Sequence, residues 1–168
     1  MDIDLSERER VPFRILVVCT GNTCRSPMAE VIARRRVGEL GWADVEVRSA
    51  GVGAFEGSPA SGGALRAARA HGLDLSMHSS TRLTREGVES ADVILTMSAS
   101  HLHRVIELGG GGRADVITSF ASEGDDLPTS PGVPDPIGGP DEEYAETFRV
   151  LDDLIVKVLT RLEPAVMP

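Results

Sequence analysis

The sequence predicts an α/β fold, a three-layer sandwich in which a four-stranded parallel sheet carries helices on both faces. Four short apolar runs have the length of buried strands: residues 14–18, 45–50, 91–97 and 114–118. The segments between them place apolar residues three or four positions apart, which is typical of amphipathic helices. Because alternating strands and helices form right-handed crossovers, we expect the four strands to be parallel and covered on both sides.

Length and composition favour one globular domain with an ordinary hydrophobic core. The chain has 168 residues, of which 41% are hydrophobic and 26% charged, as in average globular domains. Residues 1–13 are charged and lack periodicity, so we expect a mobile N-terminal tail before a single domain at residues 14–168. The formal net charge of −9 disfavours nucleic acid and anionic membranes as partners.

The sequence also predicts the compartment. No apolar stretch approaches the ~20 residues of a membrane-spanning helix, and the N-terminus lacks the basic start and apolar middle of a signal peptide. The two cysteines both lie within residues 19–24, which is not the disulfide framework of a secreted domain. We therefore expect a cytoplasmic protein whose two cysteines are reactive rather than structural. We also expect a monomer or a weak homo-oligomer.

The first strand and the first helix are joined by the short loop at residues 19–24. Residues 14–18 are apolar on both faces, as in a strand inside a parallel sheet. Ser26 is a good N-cap and Pro27 a good first residue for the helix. A strand end followed by a helix N-terminus directs successive backbone N–H groups at one point, where the helix dipole also favours negative charge. The loop is therefore predicted to bind an oxyanion. The apolar residues expected on one face of this helix are Met28, Val31, Ile32 and Leu40.

Two side chains turn this predicted anion site into a reaction site. Cys19 stands where the N–H groups converge, so its thiolate form is favoured and it can act as a nucleophile at neutral pH. Arg25, six residues on, can offer its planar guanidinium to two phosphate oxygens. A cysteine and an arginine separated by five residues and followed by serine is the layout of cysteine-dependent phosphatases.

Turn and capping residues predict the elements in the middle of the chain. Ser58 and Pro59 predict the start of a helix that ends near His71. Thr84 is expected to cap a short helix ending at Ser90. The helix after the third strand is expected to begin at Ser98 or Ser100.

The last third of the chain predicts a glycine-rich connection, the fourth strand, a long loop and a final helix. Residues 109–112 are four consecutive glycines that follow a helix rather than a strand, so we interpret them as a flexible connection and not a phosphate loop. Residues 119–140 are rich in Gly, Pro, Asp and Ser, and long loops of this kind are usually functional. Asp141 is expected to cap the final helix, whose apolar face comprises Tyr144, Phe148, Leu151, Ile155, Leu159 and Leu162.

Residues 18–30 read Val-Cys-Thr-Gly-Asn-Thr-Cys-Arg-Ser-Pro-Met-Ala-Glu. This segment resembles the phosphate loop of the low-molecular-weight protein tyrosine phosphatases, and most closely that of their bacterial protein arginine phosphatase branch. The resemblance implies a flavodoxin-like arrangement of the four strands, with the phosphate loop after the first strand at the carboxyl edge of the sheet. It also implies phosphorylated protein substrates, a cysteinyl-phosphate intermediate and no cofactor.

The resemblance further implies roles for individual residues. Cys19 attacks phosphorus while Arg25 and the backbone N–H groups of residues 20–25 hold the phosphate oxygens. Asp135, in an Asp-Pro dipeptide before the last helix, corresponds to the general acid that protonates the leaving atom. The other matching positions, which bind phosphate or support the loop, are Thr20, Gly21, Asn22, Thr23, Cys24, Ser26, Ser49 and His78.

Two positions bear on the substrate. Family members that act on phosphotyrosine usually carry aromatic residues after the Asp-Pro, whereas this chain has Ile137. The arginine-specific relatives often have Phe there, so Ile137 departs from both branches. Thr23 favours the arginine branch, because the tyrosine branch usually has a larger aliphatic residue at that position. We therefore predict a phosphoarginine phosphatase, with a low-molecular-weight protein tyrosine phosphatase as the alternative.

Two further alternatives are disfavoured. The related arsenate reductases use a similar loop but need two cysteines far along the chain, and this sequence has none after Cys24. A non-catalytic phosphate-binding or redox-sensing module would not need Cys19, Arg25 and Asp135 together.

Cys24 lies five residues from Cys19 in the same loop, so oxidation is expected to join the two in a reversible disulfide.

His101 and His103 lie two apart on a predicted helix, whereas paired metal ligands prefer i, i+4 spacing, so no metal site is predicted. Asp125 and Asp126 are interpreted as solvated loop charges.

Overall fold

The computed structural model describes residues 11–122 and 132–167. Its four strands are β1 (Phe13–Cys19), β2 (Val45–Gly51), β3 (Val93–Thr96) and β4 (Ala114–Val116). Its helices are α1 (Arg25–Glu39), α2 (Gly62–Ala70), α3 (Arg85–Ser90), α4 (Ala99–Val105), α5 (Ile117–Ala121) and α6 (Asp141–Val166). A π-helical turn at Ile106–Gly110 follows α4 directly.

The sheet is parallel throughout, with strand order β2-β1-β3-β4. This confirms the predicted four-stranded, flavodoxin-like sheet. Since β1 has a neighbour on each side, its side chains are buried on both faces: Ile15 and Val17 contribute to one apolar core, Leu16 and Val18 to the other. The larger core includes residues of α1, α2, α5 and α6, and the smaller one residues of α3 and α4, so the three layers are as expected.

All four carboxyl ends meet at one edge of the sheet because the strands are parallel. Cys19, the last residue of β1, is paired in register with Gly51 of β2, and Val18 with Thr96 of β3. The segments that follow β1, β2 and β3 therefore begin side by side. Ligands of open α/β sheets bind at this edge.

Three predicted helix starts are wrong, each because a tertiary contact outweighs a local capping preference. The N-cap of α1 is Cys24, and Ser26 lies inside the helix with its hydroxyl on the Cys19 sulfur. The N-cap of α2 is Ser61, since the backbone of Ser58 is tied to Ser80 instead. Asp141 is the first residue of α6 after the cap at Pro140, and its carboxylate pairs with Arg66.

Other boundaries agree with the sequence or differ by a few residues. Thr84 and Ser98 cap α3 and α4 through their side chains, as predicted. The fourth strand ends at Val116 rather than 118, because Ile117 begins the short helix α5. Leu40 was expected on the buried face of α1 but lies beyond its end and is 53% exposed.

The final helix α6 buries every predicted apolar residue, with Tyr144, Phe148 and Leu151 no more than 5% exposed. Strand β1 begins at Phe13, inside the segment expected to be a tail. The rest of that tail, apart from Val11 and Pro12, lies outside the described residues, as do Asp125 and Asp126. Within the described ranges, no helix is both long and apolar enough to cross a membrane.

Candidate active site

The loop between β1 and α1 turns its carbonyl oxygens outward. The carbonyls of Cys19, Thr20 and Thr23 accept hydrogen bonds from the backbone N–H groups of Val52, Gly53 and Ser61, at 2.9 to 3.0 Å. The Asn22 carbonyl lies 2.7 Å from Nε2 of His78, and the Cys24 carbonyl accepts from Met28 within α1.

In a trans peptide unit, the N–H points opposite to the carbonyl, and the described residues contain no cis peptide bond. The outward carbonyls therefore place the N–H groups of the following residues on the inner side of the loop: Thr20, Gly21, Thr23, Cys24 and Arg25. A ring of N–H groups at a helix N-terminus can bind an anion; the arrangement is the one expected from the sequence, and phosphate binding by it stays a prediction.

Asn22 is the residue that closes this loop. Its φ of 56° is the one positive φ of a non-glycine residue in the described ranges, and asparagine tolerates this conformation better than most residues. Its side-chain amide donates to the hydroxyls of Ser26 at 2.8 Å and Ser49 at 2.9 Å, while its oxygen accepts from the Thr81 N–H at 2.9 Å. These bonds hold the strained turn, and they place Ser26 and Ser49 where the sequence assigned supporting roles.

His78 supports the same turn from the other side. Its Nε2 contacts the Asn22 carbonyl, and its Nδ1 lies 4.0 Å from a carboxylate oxygen of Glu30 on α1. Both side chains are largely buried. Burial raises the pKa of Glu30, although nearby Arg34 and His78 oppose the effect. The contact of His78 with the loop is therefore part of a buried chain that ends on the first helix.

The sulfur of Cys19 lies 2.8 Å from the Ser26 hydroxyl oxygen. Because that oxygen already accepts a hydrogen bond from Asn22, the hydroxyl proton is free to be donated to the sulfur. A hydroxyl that donates to sulfur stabilises the thiolate, which is the nucleophilic form. Cys19 is 3% exposed, so we expect a substrate to approach it from the inner side of the loop of residues 19–25. We call the opening on that side the mouth of the loop.

The guanidinium of Arg25 is fixed by three contacts. Nη1 donates to the carbonyl of Val133 at 2.9 Å, while Nη2 lies 3.5 Å from the Thr20 hydroxyl and 3.5 Å from the Asp135 carboxylate. The Arg25 side chain is 7% exposed and that of Asp135 is 38% exposed. The structure thus places Asp135 beside Arg25 of the loop that begins at Cys19, although Asp135 lies 110 positions further along the sequence.

Asp135 is oriented by its own turn. One carboxylate oxygen accepts the N–H of Ile137 at 3.1 Å, and the other faces Arg25. This is a side-chain turn that aspartate commonly forms. Ile137 itself is 63% exposed at the rim, which suits contact with a substrate.

The side chain of Cys24 lies outside the ring of N–H groups. Its sulfur contacts three hydroxyls: Ser61 at 3.2 Å, Tyr144 at 3.6 Å and Thr23 at 3.7 Å. Both cysteines of the loop are free thiols and both are buried. Thr23 is half-buried, with its hydroxyl on the Cys24 sulfur.

Sequence reasoning missed three groups at this site. The Val133 carbonyl that holds Arg25 carries no side-chain signal. Tyr144 was assigned to the core alone, yet its hydroxyl reaches Cys24. His101 was considered only as a metal ligand, whereas its ring contacts Thr20 in the loop at 2.8 Å. The position of His101 just after β3, the sheet neighbour of β1, is the signal that could have identified it. Among the described residues, no group of three or more His, Cys, Asp or Glu side chains could hold a metal ion.

A family model described as "Low molecular weight phosphotyrosine protein phosphatase" matches residues 14–166. The chain belongs to this family. The resemblance noted in the sequence is thereby confirmed over the whole described domain and not only at the phosphate loop. Members of this family are phosphoprotein phosphatases. The loop between β1 and α1 described above is the segment that resembles their phosphate loop.

Family members named for different substrates resemble this chain to a similar degree. The protein-arginine-phosphatase of Geobacillus stearothermophilus is 36% identical over 155 residues, covering 91% of this chain and 98% of the relative. The low molecular weight protein-tyrosine-phosphatase Wzb of Escherichia coli (strain K12) is 35% identical over 138 residues, covering 82% of this chain and 87% of the relative.

A solved family structure bears on the chemistry. It is a Cys-to-Ser mutant of a YwlE arginine phosphatase, and its active-site serine is phosphorylated. It is 32% identical to this chain and matches with a TM-score of 0.80, covering 90% of this chain and 96% of that one. In that relative, the residue at the active-site cysteine position can therefore hold a phosphoryl group.

Proposed function

We propose that this phosphatase hydrolyses phosphoarginine in proteins through a cysteinyl-phosphate intermediate on Cys19. The observation that carries the chemistry is the contact between the Cys19 sulfur and the Ser26 hydroxyl, inside a loop whose N–H groups face inward. The phosphorylated serine of the YwlE arginine phosphatase mutant supports the same intermediate. The single domain at residues 14–168, the cytoplasmic location and a monomeric or weakly associating state remain our predictions from the sequence.

The first step transfers the phosphoryl group to sulfur. The phosphate oxygens bind to the inward N–H groups and to Arg25, so the ion pair between Arg25 and Asp135 gives way to a pair between Arg25 and phosphate. The Cys19 thiolate then forms the S–P bond in line as the P–N bond to arginine breaks. Asp135, freed from Arg25, takes up a proton from the solvent and gives it to the leaving nitrogen.

The second step returns the enzyme to its starting state. A water molecule attacks phosphorus, the S–P bond breaks and its electron pair returns to sulfur as the thiolate. Asp135 takes the proton of the attacking water and releases it to the solvent when phosphate leaves and the ion pair with Arg25 forms again. The Ser26 hydroxyl stabilises the departing thiolate, as it stabilised the attacking one. These residues need no cofactor for either step.

The preference for arginine rests on the shape and charge of the mouth. A phosphoarginine presents a planar cationic group, so its site favours a carboxylate and small polar walls. Asp135 supplies the carboxylate at the rim. Thr23 supplies a hydroxyl, and its branched carbon narrows the space available to a phenol ring.

A tyrosine phosphatase is the second candidate, because the tyrosine phosphatase Wzb resembles this chain about as closely as the arginine phosphatase does. Phe55 is 83% exposed in the segment after β2, whose Gly53 N–H is bonded to the loop carbonyl of Thr20. An exposed aromatic ring on this segment can stack on the phenol ring of a bound substrate. It can equally pack against a guanidinium, so Phe55 does not by itself separate the two substrates.

Replacement of Thr23 with isoleucine tests the substrate assignment. We expect the wild type to have a higher kcat/KM for a phosphoarginine peptide than for a phosphotyrosine peptide of matched sequence. Thr23→Ile should move that ratio toward phosphotyrosine by roughly 10- to 200-fold, because a difference of one methylene-sized group in a pocket is worth only about 1–3 kcal/mol. The measurement is initial rates on both peptides for both proteins.

Thr160→Ile is the matched control, since Thr160 lies on α6 with its hydroxyl bonded to the Val156 carbonyl of the same helix. Thr160→Ile should have the same ratio of kcat/KM for phosphoarginine to kcat/KM for phosphotyrosine as the wild type. Faster hydrolysis of phosphotyrosine by the wild type, or an unchanged ratio in Thr23→Ile, would transfer the assignment to tyrosine.

Oxidation should switch the enzyme off reversibly through Cys24. Peroxide converts the Cys19 thiolate to a sulfenic acid; attack by the Cys24 sulfur then forms the disulfide and releases water. We expect peroxide-treated wild type to regain its activity with a thiol reductant. Cys24→Ser should stay inactive after the same treatment, because its Cys19 goes on to higher, irreversible oxidation states.

Both proteins are assayed before peroxide, after it and after reduction, with the disulfide sought by mass spectrometry of peptides. The activity of Cys24→Ser before peroxide treatment is the reference for its recovery after reduction. Equal recovery of the two proteins, or failure of the wild type to recover, would rule out the switch.

A further inference from the structure

The hydroxyl of Thr20 is held by a buried ring from outside the phosphate loop. Nε2 of His101 lies 2.8 Å from the Thr20 oxygen. His101 is on the first turn of α4 and is 3% exposed. Its other ring nitrogen, Nδ1, lies 3.0 Å from the hydroxyl of Ser98, the N-cap of the same helix. Both ring nitrogens are therefore satisfied, and the ring cannot rotate without breaking two hydrogen bonds.

The same Thr20 oxygen accepts from Arg25. Nη2 of Arg25 lies 3.5 Å from it, so a continuous chain of polar contacts runs from Ser98 through His101 and Thr20 to the guanidinium. A hydroxyl has one proton and two lone pairs. With Arg25 donating to one lone pair, the contact with His101 uses either the hydroxyl proton or the second lone pair, according to the tautomer of the ring, and so fixes the orientation of the Thr20 hydroxyl.

We propose that His101 is a positioning residue for the phosphatase reaction: through the Thr20 hydroxyl it holds the Arg25 guanidinium in the orientation that receives the phosphate. This inference rests on the proposed function, since it assumes that Arg25 binds the phosphoryl group. It assigns no contact between His101 and the substrate.

The charges around His101 fit this role. Arg25 from α1 and Asp135 from the loop before α6 are the charged groups that face it. The pKa of His101 is lowered to about 4, mainly by burial. The nearby Arg25 lowers this pKa further, whereas Asp135 raises it. The ring is therefore neutral at physiological pH and adds no charge that would repel Arg25.

The test compares His101→Phe, which keeps a ring but no hydrogen bond, with His101→Gln, whose amide can still bond to Thr20. The readouts are the inhibition constant for inorganic phosphate and kcat/KM for p-nitrophenyl phosphate. We expect His101→Phe to weaken phosphate binding by roughly 3- to 30-fold, the range for one lost hydrogen bond in a buried site. His101→Gln should recover part of the loss. His103→Phe on the same helix, whose side chain is 79% exposed, should match the wild type.

A double-mutant cycle separates positioning from mere packing. Thr20→Val removes the hydroxyl, so adding His101→Phe to it should cost little further in phosphate affinity. Additive losses would mean that His101 acts by another route, and the proposal would fail. It would also fail if His101→Phe lowered only the melting temperature and left phosphate binding unchanged.

A measurement on ring nitrogens covers the case in which His101→Phe does not fold. Nitrogen NMR of the His101 ring should report a neutral ring in the wild type, with a shift on addition of phosphate that Thr20→Val abolishes. No response to phosphate would overturn the proposal. Because inorganic phosphate and p-nitrophenyl phosphate carry no arginine, these outcomes are independent of whether the physiological substrate is phosphoarginine or phosphotyrosine. A wild type without turnover would count against the proposed function, while the phosphate-binding cycle would still decide on His101.

Discussion

Cys19→Ser will lose turnover while it continues to bind phosphate. A serine hydroxyl is a far weaker nucleophile at neutral pH than a thiolate, so we expect kcat to fall by at least about a thousandfold, as for other enzymes that lose their nucleophile. Binding should persist because the anion site consists of loop N–H groups and Arg25, which the substitution leaves in place. The measurement is kcat on a phosphoarginine peptide together with the dissociation constant for phosphate or vanadate by calorimetry.

Cys24→Ser is the matched control, because it changes the other thiol of the same loop in the same way. It should keep turning over, since its sulfur contacts Ser61 and Tyr144 rather than the inner side of the loop. Residual activity of Cys19→Ser above a few per cent of the wild type would exclude Cys19 as the nucleophile. A complete loss of anion binding would mean that the loop itself had collapsed.

Asp135→Asn should slow the reaction according to the leaving group. Asparagine can still accept the Ile137 N–H but cannot supply a proton, so expulsion of the arginine nitrogen loses general-acid catalysis, a factor of about 10² to 10⁴. p-Nitrophenolate leaves without much protonation, and its rate should fall much less. The measurement is kcat/KM on a phosphoarginine peptide and on p-nitrophenyl phosphate for wild type and variant.

Asp141→Asn controls for the loss of a carboxylate near the same helix. Asp141 pairs with Arg66 at the start of α6, so its replacement should change neither rate appreciably. If Asp135→Asn lost the same factor on both substrates, Asp135 would act by holding Arg25 and not as an acid.

The phosphate loop could be predicted from the sequence because its signals are local. A buried apolar strand, a cysteine at its end and an arginine at the start of a helix all lie within the twelve residues from 14 to 25. The parallel sheet followed from alternation along the whole chain, and the structure confirms its order. These are properties that neighbouring residues impose on one another.

Contacts between distant segments explain what the sequence did not reveal. Ser26 has the character of an N-cap, but it is the second residue of α1, two positions after the cap at Cys24, and Cys19 and Asn22 bind its hydroxyl. His101 was recognisable only as one of two nearby histidines until the pairing of β3 with β1 brought it to the loop. Capping preferences are worth about 1 kcal/mol, and a tertiary hydrogen-bond network readily outweighs that amount.

Capture of the phosphoryl-enzyme tests the central claim most directly. Excess wild-type enzyme is mixed with a phosphoarginine peptide, quenched within one turnover and mapped by mass spectrometry, with a matched phosphotyrosine peptide in parallel. The account predicts a phosphoryl group on Cys19 that forms faster from phosphoarginine than from phosphotyrosine and decays at a rate consistent with turnover. Release of phosphate from phosphoarginine with no phosphorylated Cys19 at any time, or phosphorylation of Cys19 by the phosphotyrosine peptide alone, would contradict it.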